Sequence, residues 1–298
     1  MLNWESDLTP EVTVLFESDT STFTYLVQDP NSNKCAVIDG VLNFDYASGT
    51  VSYDIADKII ETIESKGLSL EYLIETHVHA DHLSCAPYIQ EKLGGKLMIS
   101  KHITEVQNEF GKLFNEGTEF ERDGSQFDVL LDEDQTYSIG SLKCIALHTP
   151  GHTPACMTHV IGNSAFVGDT LFMPDSGTAR ADFPGGSALE LYRSIHRVLS
   201  LPGATKLYMC HDYQPDGREL RYVTTVDEQL KSNIHVGGSR TESDFVKIRN
   251  ARDKTLGMPH LILPSLQVNM RAGHFPAPED NATVYLKVPI KGIQSADE

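Results

Sequence analysis

Thr76-His77-Val78-His79-Ala80-Asp81-His82 is the stretch on which the reading of this chain turns. Four strong metal ligands fall within the six residues 77–82. A short apolar run, Tyr72-Leu73-Ile74, precedes them, and a helix-prone segment at 86–93 follows. At a spacing of two, His77 and His79 point the same way from an extended chain, and from a turn they can converge on one ion. Neutral imidazole suits zinc, iron, copper or nickel, and a carboxylate hardens the set. With 12 histidines in 298 residues, three in one hexapeptide beside an aspartate are poorly explained as a solvated loop.

Three further stretches repeat the context of an apolar strand followed by a ligand. His152 follows Ile145-Ala146-Leu147 through a Thr149-Pro150-Gly151 turn. Asp169 follows Ala165-Phe166-Val167-Gly168, and His211 follows Leu207-Tyr208-Met209-Cys210. Singly, each reads as well as a turn or surface residue. Together they place ligands just beyond the ends of separate strands, where loops on a rigid scaffold meet along one rim.

The rest of the chain alternates periods. Strands are expected at 12–16, 23–28, 36–39, 72–75 and 96–100, with hairpins at 136–147 and 157–167. Ile55, Ile59, Ile60 and Ile63 form one helix face, ended by Lys66-Gly67. Helices are also expected at 84–93, 104–114, 189–199, 223–231 and 241–254. The acidic, turn-rich stretch 116–134 reads as an exposed connection with a short strand near 127–131. Beyond residue 254, Pro259, Pro264, Pro276, Pro278 and Pro289 predict extended or looping chain.

Composition narrows the class. A hydrophobic content of 40% with 22% charged residues describes a folded globule. No apolar run is long enough for a membrane span. The first residues lack the basic and apolar regions of a secretory signal, so a cytoplasmic protein is expected. The net charge of −18, from 42 acidic and 24 basic residues, argues against nucleic acid and anionic membranes as partners. The five cysteines are scattered, form no CxxC pair and predict neither disulfides nor a cysteine zinc site.

The motifs THVHADH (76–82), TPGHT (149–153), GDTLF (168–172) and CHDY (210–213) resemble, in this order, the metallo-β-lactamase superfamily. That resemblance implies an α/β fold, an αββα sandwich with its metal site at one edge. The catalytic domain would span 1–240, with a C-terminal helical and extended segment, 241–298, packed on it. Within the superfamily three stretches are similar to the persulfide dioxygenases, the family of the ethylmalonic encephalopathy protein. These are Ala155-Cys156 after the His152 turn, Arg180-Ala181-Asp182-Phe183 after the metal aspartate, and 245–248 with 268–273 near the end. Residues 213–221 and 261–267 depart from the family pattern.

Ligand counting alone leaves the metal open. His77, His79, Asp81, His82, His152, Asp169 and His211 suffice for two zinc ions bridged by Asp169, as in a glyoxalase II-like thioester hydrolase. The dioxygenase resemblance implies instead one Fe(2+) per chain on His77, His152 and Asp169, two histidines and a carboxylate with open positions for substrate. It leaves His79, Asp81, His82 and His211 to orient ligands and assist catalysis. The implied reaction oxidises glutathione persulfide with O2 and water to sulfite and glutathione. A non-catalytic metal-binding or sulfur-sensing protein is the third reading, and a homodimer is compatible with all three. Because the global charge repels an anionic substrate, Arg180 is the first expected carboxylate ligand, followed by Tyr213, Arg218 and Arg271. A brace between Arg180 and Asp182 is the competing role.

Overall fold

A computed structural model describes residues 4, 6 and 8–292 of the chain. In chain order the elements are β1 (Glu11–Glu17), β2 (Thr22–Gln28), β3 (Lys34–Ile38), β4 (Val41–Asp45), β5 (Thr50–Ser52), α1 (Asp54–Ser65), β6 (Ser69–Ile74), β7 (Leu83–Ser84), α2 (Ala86–Leu93), β8 (Lys96–Ser100) and α3 (Ile103–Leu113). There follow β9 (Val129–Leu131), β10 (Gln135–Ile139), β11 (Leu142–His148), β12 (Met157–Ile161), β13 (Ser164–Phe166), α4 (Ala188–Val198), β14 (Lys206–Tyr208), β15 (Val223–Thr225), α5 (Val226–Ser232), α6 (Glu242–Asp253) and α7 (Ile262–Asn269).

Strand periodicity generates the layers. One sheet has the order β1-β2-β3-β6-β8-β9, the other β10-β11-β12-β13-β14-β15. On the first sheet, Tyr25, Val27, Ile38, Ile74 and Met98 face Cys144, Ala146, Met157, Ile161 and Phe166 of the second in one buried cluster. The alternate residues Leu26, Val37, Leu73, Leu97 and Ile99 join the apolar faces of α1, α2 and α3 on the outside. On the far side Leu147, Val160, Ala165 and Leu207 pack with Leu191, Ile195 and Val198 of α4 and Phe245 of α6. Successive side chains alternate between a sheet–sheet and a sheet–helix interface, so the strands are apolar on both faces. The result is an αββα sandwich.

Several elements depart from the sequence expectation. A hairpin, β4–β5, lies between β3 and α1 and pairs through β4 with β7 as a small third sheet. Residues 223–225 form an edge strand against β14, and the helix starts at Val226, capped by the Thr225 side chain. The stretch expected to loop around Pro264 is helix α7. Pro264 is its third residue, inside the first turn, where a missing N–H breaks no helical bond. Leu266 and Val268 of α7, with Leu261 and Met270 beside it, belong to the same buried cluster as α1, α2 and α3. Among the described residues, no helix is long and apolar enough to cross a membrane.

Candidate metal centre

The ligand-bearing loops leave the strand ends on one edge of the sandwich. His77 follows β6, His152 follows β11, Asp169 follows β13 and His211 follows β14. Two glycines let these loops close on one another. Gly151, at φ +136°, lies so close to α4 that a Cβ would sit 2.2 Å from the Leu191 amide nitrogen. Gly168, at φ +51°, leaves room for the Thr76 hydroxyl, which a Cβ would approach to 2.7 Å. Each precedes a candidate ligand, so both are requirements of assembly.

Five histidines are held in one pattern, with the outer nitrogen engaged and the inner one turned toward the shared space. His77 Nδ1 is 3.0 Å from Thr76 Oγ1, whose own proton goes to Asp39 Oδ2 at 2.9 Å. That hydroxyl therefore accepts from His77, which leaves the lone pair on Nε2. His152 Nδ1 donates to the Arg180 carbonyl at 2.8 Å, and His82 Nδ1 to that of Leu83 at 3.2 Å. His211 Nδ1 faces the Ser21 carbonyl and Thr22 Oγ1. His79 is reversed: its Nε2 donates to Asp39 Oδ1 at 2.9 Å and its Nδ1 faces inward. The inner atoms His77 Nε2, His79 Nδ1, His82 Nε2, His211 Nε2, Asp81 Oδ2 and Asp169 Oδ1 are buried without hydrogen-bond partners. Buried polar atoms are rarely left so, and outer-nitrogen anchoring is the usual support of a metal-binding histidine. The residues fit a metal.

They divide into neighbouring groups. His77, His152 and Asp169 bring one donor atom each within 4.8 Å of the others, and so do His79, Asp81 and His82. Asp169 joins the two: Oδ2 lies 3.6 Å from His152 Nε2, and Oδ1 lies 3.3 Å from His211 Nε2. His211 Nε2 is also 3.4 Å from Asp81 Oδ2. Burial works against charge on His211, yet Asp81 and Asp169 raise it to about 10. Burial pushes His77 well below the ordinary histidine value and His82 down to about 4. Asp169 is also buried, but His211, His77 and His152 hold it well below the usual carboxylate range.

Three supporting residues carried no motif. Asp39 binds the Thr76 amide, the Thr76 hydroxyl and His79. Glu75, raised by burial, lies 3.6 Å from His79 and accepts from Ser84. Asn269 of α7 donates to the carbonyls of His79 and His82 at 2.9 and 2.7 Å and accepts from the Ser84 amide at 2.8 Å. It clamps both sides of the 77–82 loop from 185 to 190 positions further along the chain. With Ser265 and Gln267 also polar in the run 261–270, nothing in the sequence singled Asn269 out.

A cavity of about 1180 Å³ opens over His152, Asp169 and Asp81, walled by Phe44, Phe172 and Phe183. Tyr213 stacks along His211 at 5.7 Å between ring centres and meets Phe172 edge-on. Although 54% of its surface is exposed, desolvation and then Asp169 and Asp81 raise its phenol well above 10. Arg180 reaches the cavity, but its Nε and Nη2 bind Asp182 at 2.6 and 2.8 Å and its Nη1 binds the Gly257 carbonyl at 2.7 Å. Arg218 is held by Asp175 and Asp212, and Arg271 by Glu116 at 2.6 Å over the Phe120 ring. The structure places neither Arg218 nor Arg271 on the cavity wall, although Asp175, which holds Arg218, belongs to it. The five cysteines are buried, and burial pushes the Cys85 thiol far up and that of Cys156 to about 12.

The family model described as the metallo-beta-lactamase superfamily matches residues 18–211, which contain every candidate ligand named above. The chain belongs to that superfamily. It is 55% identical over 288 residues to a probable metallo-hydrolase of Burkholderia pseudomallei, covering 93% of this chain and 98% of that one. It is 45% identical to glyoxylase B2 of Dictyostelium discoideum over 95% and 98%. It is 30% identical to the human mitochondrial persulfide dioxygenase ETHE1 over 87% of both chains. Among solved structures, ETHE1 from Myxococcus xanthus matches with a TM-score of 0.71 at 28% identity, over 89% of this chain and 100% of that one.

Proposed function

We propose that this protein is a cytoplasmic, iron-dependent persulfide dioxygenase acting on glutathione persulfide. The observation that carries the reading is the compact set His77, His152 and Asp169, two imidazoles and one carboxylate gathered within 4.8 Å. Such a set suits a single Fe(2+) with positions open to substrate. When bound, the iron supplies the redox chemistry that joins O2 to sulfur. One persulfide, one O2 and one water give glutathione, sulfite and two protons.

The protein's own part is positioning. Asp39, Thr76 and the Arg180 carbonyl keep the imidazoles aimed. Phe172 and Phe183 give the cavity an apolar wall beside the ligands, which limits water there. His211 Nε2, between Asp81 and Asp169, can hold a proton next to the reacting sulfur. The Tyr213 hydroxyl, kept neutral, remains a donor on the cavity wall. Similarity to ETHE1 across most of the chain supports the same reading.

A second reading rests on its own observation. The unpartnered His79 Nδ1, Asp81 Oδ2, His82 Nε2 and His211 Nε2 offer a second set of donors, which a two-zinc thioester hydrolase would use. Elemental analysis of protein purified without added metal separates the two. Close to one iron per chain, with oxygen uptake that needs glutathione persulfide and fails with glutathione, is the expected result. Two zinc ions per chain with hydrolysis of S-lactoylglutathione would refute it.

A further inference from the structure

The cavity presents a charge problem. Its walls carry five carboxylates away from the ligand cluster, Glu17, Asp19, Asp45, Asp54 and Asp175, and its permanent cations are Arg180, Arg249 and Arg252, with no lysine. Arg180 is closed by Asp182 and the Gly257 carbonyl. Arg249 is 2% exposed and spent on Asp253 and Thr178. Arg252 is exposed, and its guanidinium makes no ion pair or hydrogen bond among the described residues.

Four of the five wall acids already have partners. Glu17 accepts from the Thr20 and Asp19 amides, Asp45 from Ser48, Asp54 from Ser52, and Asp175 from Arg218. Arg252 stands in the last turn of α6, beside Asp253, whose carboxylate is fixed on Arg249 and on the Ala181 amide. Its backbone is therefore firmly held while its head group is free. Leu256, Gly257 and Met258, just beyond it, continue the cavity wall.

We propose that Arg252 is the carboxylate anchor of the cavity, the one cation left to receive an acidic group of the substrate. This deepens the reading above and rests on it for the substrate class, a thiol-bearing peptide whose sulfur end faces the metal. A guanidinium suits a carboxylate through paired N–H donors. The acidic rim has no such welcome for a second carboxylate unless an ammonium accompanies it. The cavity accordingly favours a zwitterionic amino-acid end over a plain dianion.

The test measures binding without turnover. S-methylglutathione and its carboxyl diester are titrated calorimetrically into iron-loaded wild-type, Arg252→Gln and Arg252→Lys protein. The expected result is a 10- to 100-fold weaker Kd, order of magnitude, for the Gln variant with the free acid, and partial recovery with Lys. The diester should bind wild-type and Gln variant alike. Equal affinity of wild-type and Arg252→Gln for the free acid overturns the proposal. So does an equal loss for acid and diester, which would make Arg252 a packing residue or a charge at the helix end. Absence of S-methylglutathione binding to wild-type protein overturns it as well. If binding behaves as expected but no persulfide-dependent oxygen uptake occurs, the dioxygenase reading fails and the anchor stands.

Discussion

Replacing Asp253 by Ala should unfold the protein more easily and loosen the metal at a distance. Asp253 and Arg249 are 4% and 2% exposed, and the guanidinium meets the carboxylate at 2.8 Å from Nε and 2.7 Å from Nη2. The other carboxylate oxygen takes the Ala181 amide at 3.0 Å, while Arg249 Nη1 holds the Thr178 carbonyl at 2.9 Å. Removing the carboxylate leaves a buried charge without its partner, which costs about 3–5 kcal/mol. The orphaned Ala181 N–H adds about 1–3 kcal/mol, and because the groups are neighbours the two do not sum fully. A loss of about 4 kcal/mol is expected by equilibrium denaturation. The same segment supplies the Arg180 carbonyl that orients His152. On the dioxygenase reading, iron affinity should therefore fall about 10–100-fold in a chelator competition assay. Arg249→Met with Asp253→Leu should regain most of the stability, since a well-packed apolar pair replaces the buried ions. A single variant costing less than about 1 kcal/mol, or a double variant as unstable as the single, would refute this reasoning.

Other outcomes follow from the same geometry. Asn269→Ala removes three buried hydrogen bonds from the ligand loop; about 2–4 kcal/mol of stability and much of the iron should go, read by denaturation and by metal analysis after dialysis. His211→Ala should keep most of its iron and lose about 10–100-fold in activity; loss of iron as complete as in His77→Ala would point to a ligand role. Burial pushes His159 from 6.5 down to about 4 while its Nδ1 pairs with the Tyr137 hydroxyl at 2.9 Å. Below pH 6.5 the unfolded chain takes up a proton that the folded one refuses, so its stabilising contribution is lost as pH falls toward 4. Over that window the loss should reach about 3 kcal/mol, and unfolding curves of His159→Gln at several pH values should show a flatter slope.

Where the sequence was legible, it was because a period or a ligand type stood out. Ile55, Ile59, Ile60 and Ile63 mark one side of α1 and are all buried against the sheet. The strand-then-ligand pattern brought His77, His152, Asp169 and His211 to one edge without need of tertiary information. The β4–β5 hairpin was hidden because Asn43, Asp45 and Ser52 interrupt short strands, and with it went the cavity wall at Phe44. Helix α7 was hidden for the opposite reason: six of its eight residues are buried, so no polar face betrays a helical period. Arginine roles were the least legible. Which carboxylate claims a guanidinium depends on chain segments far apart in sequence, as Arg271 with Glu116 and Arg218 with Asp175 show.

The Asn269 clamp also sets a timetable. The ligand loop at 77–82 and α7 are separated by nearly two hundred residues, and the hydrogen bonds between them span 185 to 190 positions. During synthesis at about 5–20 residues per second, the loop waits on the order of ten seconds or more before its clamp exists. Through that interval His79 and His82 lack the contact that fixes their backbone. Closure of the loop is thereby tied to the synthesis of α7, and a product that stops short of Asn269 lacks the clamp.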